Sequence, residues 1–300
     1  MAIYSIRDLE KLTGIKAHTI RIWEQRYGLI TPARTNTNIR YYTDDNLRLL
    51  FNIAILNRHG VKISKLAKMK PEDITAKGAE ITQNKGSINS QIEALTLAMI
   101  DLDEADFEAV YSDFVHDHGF ENSMIELIYP FLDKLQVLWL TSSIHPAQEK
   151  FIVNLIRNKL IGAIDRLPPV SAKSGMPTVL LFTAESELQE LPLLFMQYLI
   201  KARRLRAVYI GNGVNTHDLK EICEVVRPEF VYTILQEPIP RQTVQGYIDQ
   251  IAQSIAGGRL LLTGAQLFLG PIRLPSNTQV LNGLYETVQF LDDLQITGKS

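Results

Sequence analysis

Between Lys16 and Arg26 the sequence reads KAHTIRIWEQR, a run whose side chains suit the binding of a polyanion better than the turnover of a substrate. Arg21 and Arg26 offer planar, permanently charged forks that match phosphate oxygens. Lys16, His18 and Thr19 offer the donors and acceptors that meet base edges. A second group follows at Arg34, Arg40, Tyr41 and Tyr42, where arginines and aromatics flank the turn sequence TNTN. Residues 1–70 hold 13 Lys and Arg against 5 Asp and Glu, a balance of +8 in a chain of net charge −2. One end is therefore built to meet a polyanion, although each arginine taken singly could also be a solvated surface side chain.

Other chemistries find little support. His116 and His118 are two apart and so point to different faces of a helix, while His145 and His217 have no partner at ligand spacing. The single cysteine, Cys223, excludes a disulfide framework, and Leu219, Ile222 and Val226 place it on an apolar helix face. No Ser/His/Asp set, P-loop or pair of catalytic carboxylates is recognisable, and GNGV at 211–214 lacks a third glycine and reads as a turn. The expectation is a protein that is not an enzyme, holds no metal and works in the cytoplasm, since no stretch of about 18 apolar residues occurs.

Three units must position these residues. In the first, 1–75, Ser5 caps a helix whose apolar positions are Ile6, Leu9 and Leu12 and which stops at Gly14. A second helix puts Ile20, Trp23 and Tyr27 on one face and stops at Gly28, so the pair is a helix-turn-helix candidate. Asn36-Thr37-Asn38 suits a tight turn between two short extended arms, a small wing. Thr43 can then cap the helix DDNLRLLFNIAILNRHG, and VKISKLAKM adds a further helical segment. Two polar stretches, 70–90 and 165–177, divide the chain. Between them, 88–166 has helical periodicity throughout and predicts an antiparallel four-helix bundle. The third unit, 177–300, alternates apolar runs near 178–183, 206–211, 230–235, 259–263 and 279–281 with amphipathic helices, which means a parallel sheet wrapped by helices.

The stretch YSIRDLEKLTGIKAHTIRIWEQRYGLITPARTNTNIRYYTDDNLRLL resembles the DNA-binding domain of the MerR family of transcription regulators. That resemblance implies a winged helix-turn-helix, all-α with a small β wing. It also implies a homodimer or higher oligomer on double-stranded DNA, reading a palindromic operator. Arg21, Arg26, Arg34 and Arg40 would hold phosphates, and Trp23 and Tyr27 would fill the small core. The family's wing turn usually carries glycine, but asparagine tolerates positive φ.

Residues from 88 onward are similar to the cobalamin-binding module of light-sensing, carotenogenesis-controlling regulators, a four-helix bundle followed by a flavodoxin-like doubly wound sheet. The resemblance implies a tryptophan followed, after nine intervening residues, by Glu-His; here Trp139 is followed after nine residues by Glu149-Lys150, and Leu140 stands where photosensory members carry a second histidine. It also implies a Glu/Asp-x-His-x-x-Gly loop whose imidazole binds cobalt. Aligned on Glu187, this chain has Gln189 for the ligand and Pro192 for the glycine. Gly264, between Thr263 and Ala265, is what remains of a Gly-Gly pair. An amide is a poorer donor to cobalt than an imidazole, so the pocket reads as degenerate and no cofactor is expected through a histidine ligand. A small molecule or a protein remains an open effector, with no membrane partner. A corrinoid sensor with another lower ligand and a corrinoid-carrying methyltransferase subunit are the alternatives. Plainer roles also stay open: Trp139 on the inner face of a bundle helix, Glu149 at a helix N-terminus, and Gln189 in a capping box with Ser186. A helix that begins near Glu190 would keep Pro192 in its first turn.

Overall fold

The computed structural model describes residues 4–34, 38–58, 60–83, 87–140, 144–184, 187, 190–239, 243–255 and 257–297. They cluster into two compact units, Met1–Leu155 and Ile156–Ser300.

The first unit opens with α1 (Ile6–Thr13) and α2 (Ala17–Tyr27). Ser5 caps α1 as expected, in a reciprocal box with Asp8. Both helices end on glycines in the left-handed region, Gly14 at φ 73° and Gly28 at φ 62°. A two-stranded antiparallel ribbon follows, β1 (Ala33–Arg34) and β2 (Arg40–Tyr41), and then α3 (Asp44–Arg58) and α4 (Ile63–Leu66). The stretch 70–90, expected to be a polar divider, instead contains α5 (Pro71–Gln83). Pro71 suits a first helical position and Glu72 and Asp73 suit the positive end of the helix dipole, so composition alone hid a well-started helix. Within α5, Gly78 lies against the Asn52 side chain of α3, where a Cβ would collide with it. The glycine lets the two helices approach.

The bundle comprises α6 (Ile88–Asp101), α7 (Glu104–His118), α8 (Phe120–Ser123) continuing through a wide π turn (Met124–Ile128) into α9 (Tyr129–Leu140), and α10 (Pro146–Asp165). The π turn is an addition to the expected four helices. Pro130 has no N–H to give to a regular ladder, so the irregularity sits where that ladder would break. At the start of α10 the Gln148 amide donates to the Ile100 carbonyl at 3.0 Å, tying its first turn to the end of α6. The head does not stand apart from the bundle: α3 packs on α5 and α6. Arg48 of α3 pairs with Asp101 of α6, and the Lys134 ammonium of α9 lies 5.7 Å from the centre of the buried Phe51 ring.

The second unit alternates as expected as far as β6: β3 (Thr178–Phe182), α11 (Leu191–Ala202), β4 (Arg206–Gly211), α12 (Thr216–Val226), β5 (Phe230–Ile234), α13 (Val244–Ser254), β6 (Arg259–Thr263), then β7 (Thr278–Val280) and α14 (Gly283–Thr297). The five strands are parallel in the order β4-β3-β5-β6-β7, the doubly wound order with its switch point beside β3. One expected helix is absent. Only a 3-10 turn (Ala265–Phe268) lies between β6 and β7, because Gly270, Pro271 and Pro275 leave no uninterrupted helical run. Alternate residues of β3 serve opposite faces: Leu180 and Phe182 join a core with Leu219, Cys223, Ile248 and Ile251, while α11 packs on β3 and on α14. Burial pushes the Cys223 thiol up to about 11, in keeping with a packing role. Among the described residues no helix is long and apolar enough to cross a membrane.

Candidate nucleic-acid interface

The turn between α1 and α2 is held by an acid that sequence reasoning passed over. Lys16, at the N-cap of α2, makes no side-chain cap bond. Glu10 of α1 substitutes for it: its carboxylate accepts the Ala17 backbone N–H at 3.1 Å and pairs with the Lys16 ammonium at 3.1 Å. The backbone bond first, and then Lys16, hold the Glu10 carboxyl below its ordinary range. Lys16 therefore reaches solvent with one side already engaged. Beneath, Ile20 and Trp23 are buried, as expected, and Tyr27 is half-buried with the Arg26 guanidinium 5.5 Å from its ring centre.

The outer face of α2 carries His18, Arg21, Ile22, Gln25 and Arg26, all exposed, while Thr19 is half-buried. Positions 18, 21, 22 and 25 are one helical stripe. Ile22 and Gln25 were not among the sequence-derived candidates, yet the spacing that buries Ile20 and Trp23 dictates that they face out. Attention to residue type favoured the cations and missed them.

In the wing Ala33 pairs with Tyr41 and Arg34 with Arg40. Asn38 adopts φ 65°, as its type allows, and its side-chain oxygen accepts from Arg34 at 2.7 Å. Asn36 and Thr37 lie outside the described residues. Arg34 and Arg40 are directly opposite one another, an arrangement of like charges that is unfavourable without an anion nearby. Glu24 of α2 relieves part of it by accepting from Arg40 at 3.3 Å. The same carboxylate accepts the Tyr42 hydroxyl at 3.2 Å, so one acid joins α2 and the ribbon.

Tyr42 corrects a sequence expectation. It is fully buried, and its backbone exchanges two 2.9 Å hydrogen bonds with Tyr4. Burial, followed by the Glu24 charge, pushes its phenol up to about 12. Tyr42 is thus a core side chain and not a surface one, whereas its neighbour Tyr41 is half-buried at the edge of the ribbon. Alternation along the strand sends the two rings to opposite sides.

The family of MerR HTH regulatory proteins matches residues 4–73. Residues 4–73 are a MerR-type helix-turn-helix domain. Beyond this MerR-type head, the chain is homologous to two repressors of Myxococcus xanthus. It is 27% identical to the HTH-type transcriptional repressor CarH over 238 residues, covering 76% of this chain and 77% of that protein. It is 26% identical to CarA over 229 residues, covering 75% and 74%. In fold it is similar to the monomethylamine corrinoid protein of Methanosarcina barkeri, with a TM-score of 0.51, 11% identity, and coverage of 66% of this chain and 94% of that one.

The residues expected to line a degenerate cofactor pocket are placed as follows. Glu187 is buried, and its carboxylate accepts the backbone N–H groups of Gln236 (3.0 Å) and Glu237 (3.1 Å), stitching the loop after β3 to the loop after β5. Gln189 lies outside the described residues. Pro192 occupies the first turn of α11, where its missing N–H costs nothing. Glu190, just before that helix, accepts from Arg157 at 2.6 Å and from the Tyr209 hydroxyl at 3.4 Å. Gly264 has φ 123°, and a Cβ there would run into the Leu235 backbone. Its glycine is required by the loops themselves. Trp139 is 52% exposed on α9, which corrects the reading that placed it on the inner face of the bundle. Glu149 stands half-buried in the first turn of α10 and Lys150 is exposed, while Gln148 turns back to accept from the His145 N–H at 2.9 Å. Among the described residues no three His, Cys, Asp or Glu side chains converge.

Proposed function

We propose that this chain, a DNA-binding transcription regulator of the MerR type, binds a palindromic operator as a homodimer, each head laying the outer face of α2 in the major groove and its wing on the flanking backbone. The observation that carries this is the facing arginine pair Arg34 and Arg40 on the ribbon, tied through Glu24 to a helix whose outer face bears Arg21 and Arg26. Two arginines at paired positions of one short ribbon have an obvious use where a phosphate backbone lies against it. The chemistry required is recognition alone, so the reading is of a regulator and not an enzyme.

The C-terminal unit is read as a cobalamin-domain relative that senses something else or serves assembly. The residues present do not fit a histidine-ligated corrinoid. Gln189 stands at the ligand position, and the Glu187 carboxylate is already spent on the Gln236 and Glu237 amides. In the second unit the sole histidine, His217, is exposed on α12 and sits 3.6 Å from Glu221.

The test is a titration of the full chain onto duplexes it enriches from a random pool, in the dark, with and without adenosylcobalamin, and then under illumination. The expected result is salt-sensitive binding indifferent to corrinoid and light, with sedimentation showing a dimer on each duplex. Light-reversible binding with corrin absorbance co-eluting with the protein would overturn the lost-ligand reading.

A further inference from the structure

An isoleucine stands among the charges of the DNA-facing helix. Ile22 is 49% exposed, while Ile20 and Trp23 beside it fill the core. At about 3.6 residues per turn the exposed positions of α2 form one arc, with Gln25, His18 and Ile22 in the middle, Arg21 on one rim and Arg26 on the other. Rim guanidiniums suit the phosphates that border a major groove, which leaves the middle of the arc over the groove floor. Three residues apart, Ile22 and Gln25 are neighbours there.

Their chemistries are complementary to one base pair type. Thymine alone places a methyl group in the major groove, and a branched apolar side chain is a fitting contact for it. Adenine presents N7 as acceptor and N6–H as donor side by side, the pattern a glutamine amide matches with two bonds. Neither guanine nor cytosine offers both features. Resting on the DNA-binding reading above, we propose that Ile22 and Gln25 are specificity-determining residues that read A·T pairs in each half-site, Ile22 on a thymine methyl and Gln25 on the Hoogsteen edge of adenine. Charge then fixes where the helix lies, and this uncharged pair fixes which sequence it accepts.

The experiment uses the full chain and a duplex that it enriches from a random pool. Each thymine is replaced in turn by deoxyuridine, which lacks only the methyl, and each adenine by 7-deazaadenine, which lacks N7; affinity is read by fluorescence anisotropy. In each half-site one deoxyuridine should weaken the wild type about fourfold, the worth of one buried methyl, and leave Ile22→Ala unaffected. One 7-deazaadenine should weaken the wild type about fivefold or more and leave Gln25→Ala unaffected. Both side chains are exposed, so equal melting temperatures will show that the variants are folded. Tight binding whose base-analogue sensitivity is the same in wild type and variants would overturn this inference and leave the DNA-binding reading standing. Failure to enrich any duplex would overturn both.

Discussion

Glu10 and Ala17 meet across the turn between the first two helices, the carboxylate accepting the backbone N–H at 3.1 Å. The bond supplies α2 with the cap that Lys16 does not, and it fixes α2 against α1 through a contact seven residues long in sequence. Because it comes from the neighbouring helix, the cap also ties the start of α2 to α1.

Glu10→Ala should lower the melting temperature at neutral pH. The lowered carboxyl pKa means that the contribution is complete above the ordinary carboxylate range and is lost as pH falls through the lowered value. The gap between wild type and variant, followed by circular dichroism, should close in acid. A gap that persists unchanged there would show that the charge of Glu10 does not matter.

Glu24 joins Arg40 and Tyr42, so its removal should cost more than removal of either partner's bond. Tyr42→Phe is expected to cost about 1 kcal/mol, and Glu24→Ala about 1–3 kcal/mol because the buried Tyr42 hydroxyl loses its acceptor. Urea unfolding should find the double variant milder than the sum of the two.

The same phenol gives an alkaline signature. With Tyr42 and Tyr209 pushed up to about 12 in the fold from an ordinary 10.0, their stabilisation is complete below pH 10 and is lost as pH rises towards 12. Unfolding midpoints at pH 9 and pH 11 should differ less in Tyr42→Phe than in wild type.

Arg21→Ala and Arg34→Ala should each weaken binding on every duplex alike and reduce the slope of log affinity against log salt by about one unit. Slopes equal to wild type would mean that these guanidiniums are solvated and touch no phosphate.

Gly264→Ala should destabilise the second unit by about 2 kcal/mol or more, since the added carbon meets the Leu235 backbone and the residue has φ 123°. Gly257→Ala, at φ 79° with open space around it, should cost only the strain of the backbone, about 1 kcal/mol. Chemical denaturation of the two variants side by side would separate crowding from conformation.

What could be read from the sequence was whatever depends on local periodicity. Ile20 and Trp23 fall inside because they repeat at helical spacing, Gly14 and Gly28 stop their helices because they tolerate positive φ, and five apolar runs alternate with helices to form one parallel sheet. The same periodicity, followed to its other face, dictates that Ile22 and Gln25 lie outside, although attention to residue type passed over them. Reading by residue type failed where type and environment diverge: 70–90 looked like a connector because its apolar residues are few, yet α5 packs on α3, burying Ile74 and bringing Gly78 against Asn52. Tertiary structure alone decided the long-range pairings. Tyr42 is buried because its strand bridges Tyr4, 38 positions earlier, and Glu24 becomes a hub because the ribbon folds back over α2. Gly264 is required because Leu235 passes beside it, and Glu187 is occupied because the loop after β5 turns its amides towards it. Side-chain spacing along a chain determines which face is apolar, but which distant group satisfies a buried hydroxyl or carboxylate is set only when the elements pack.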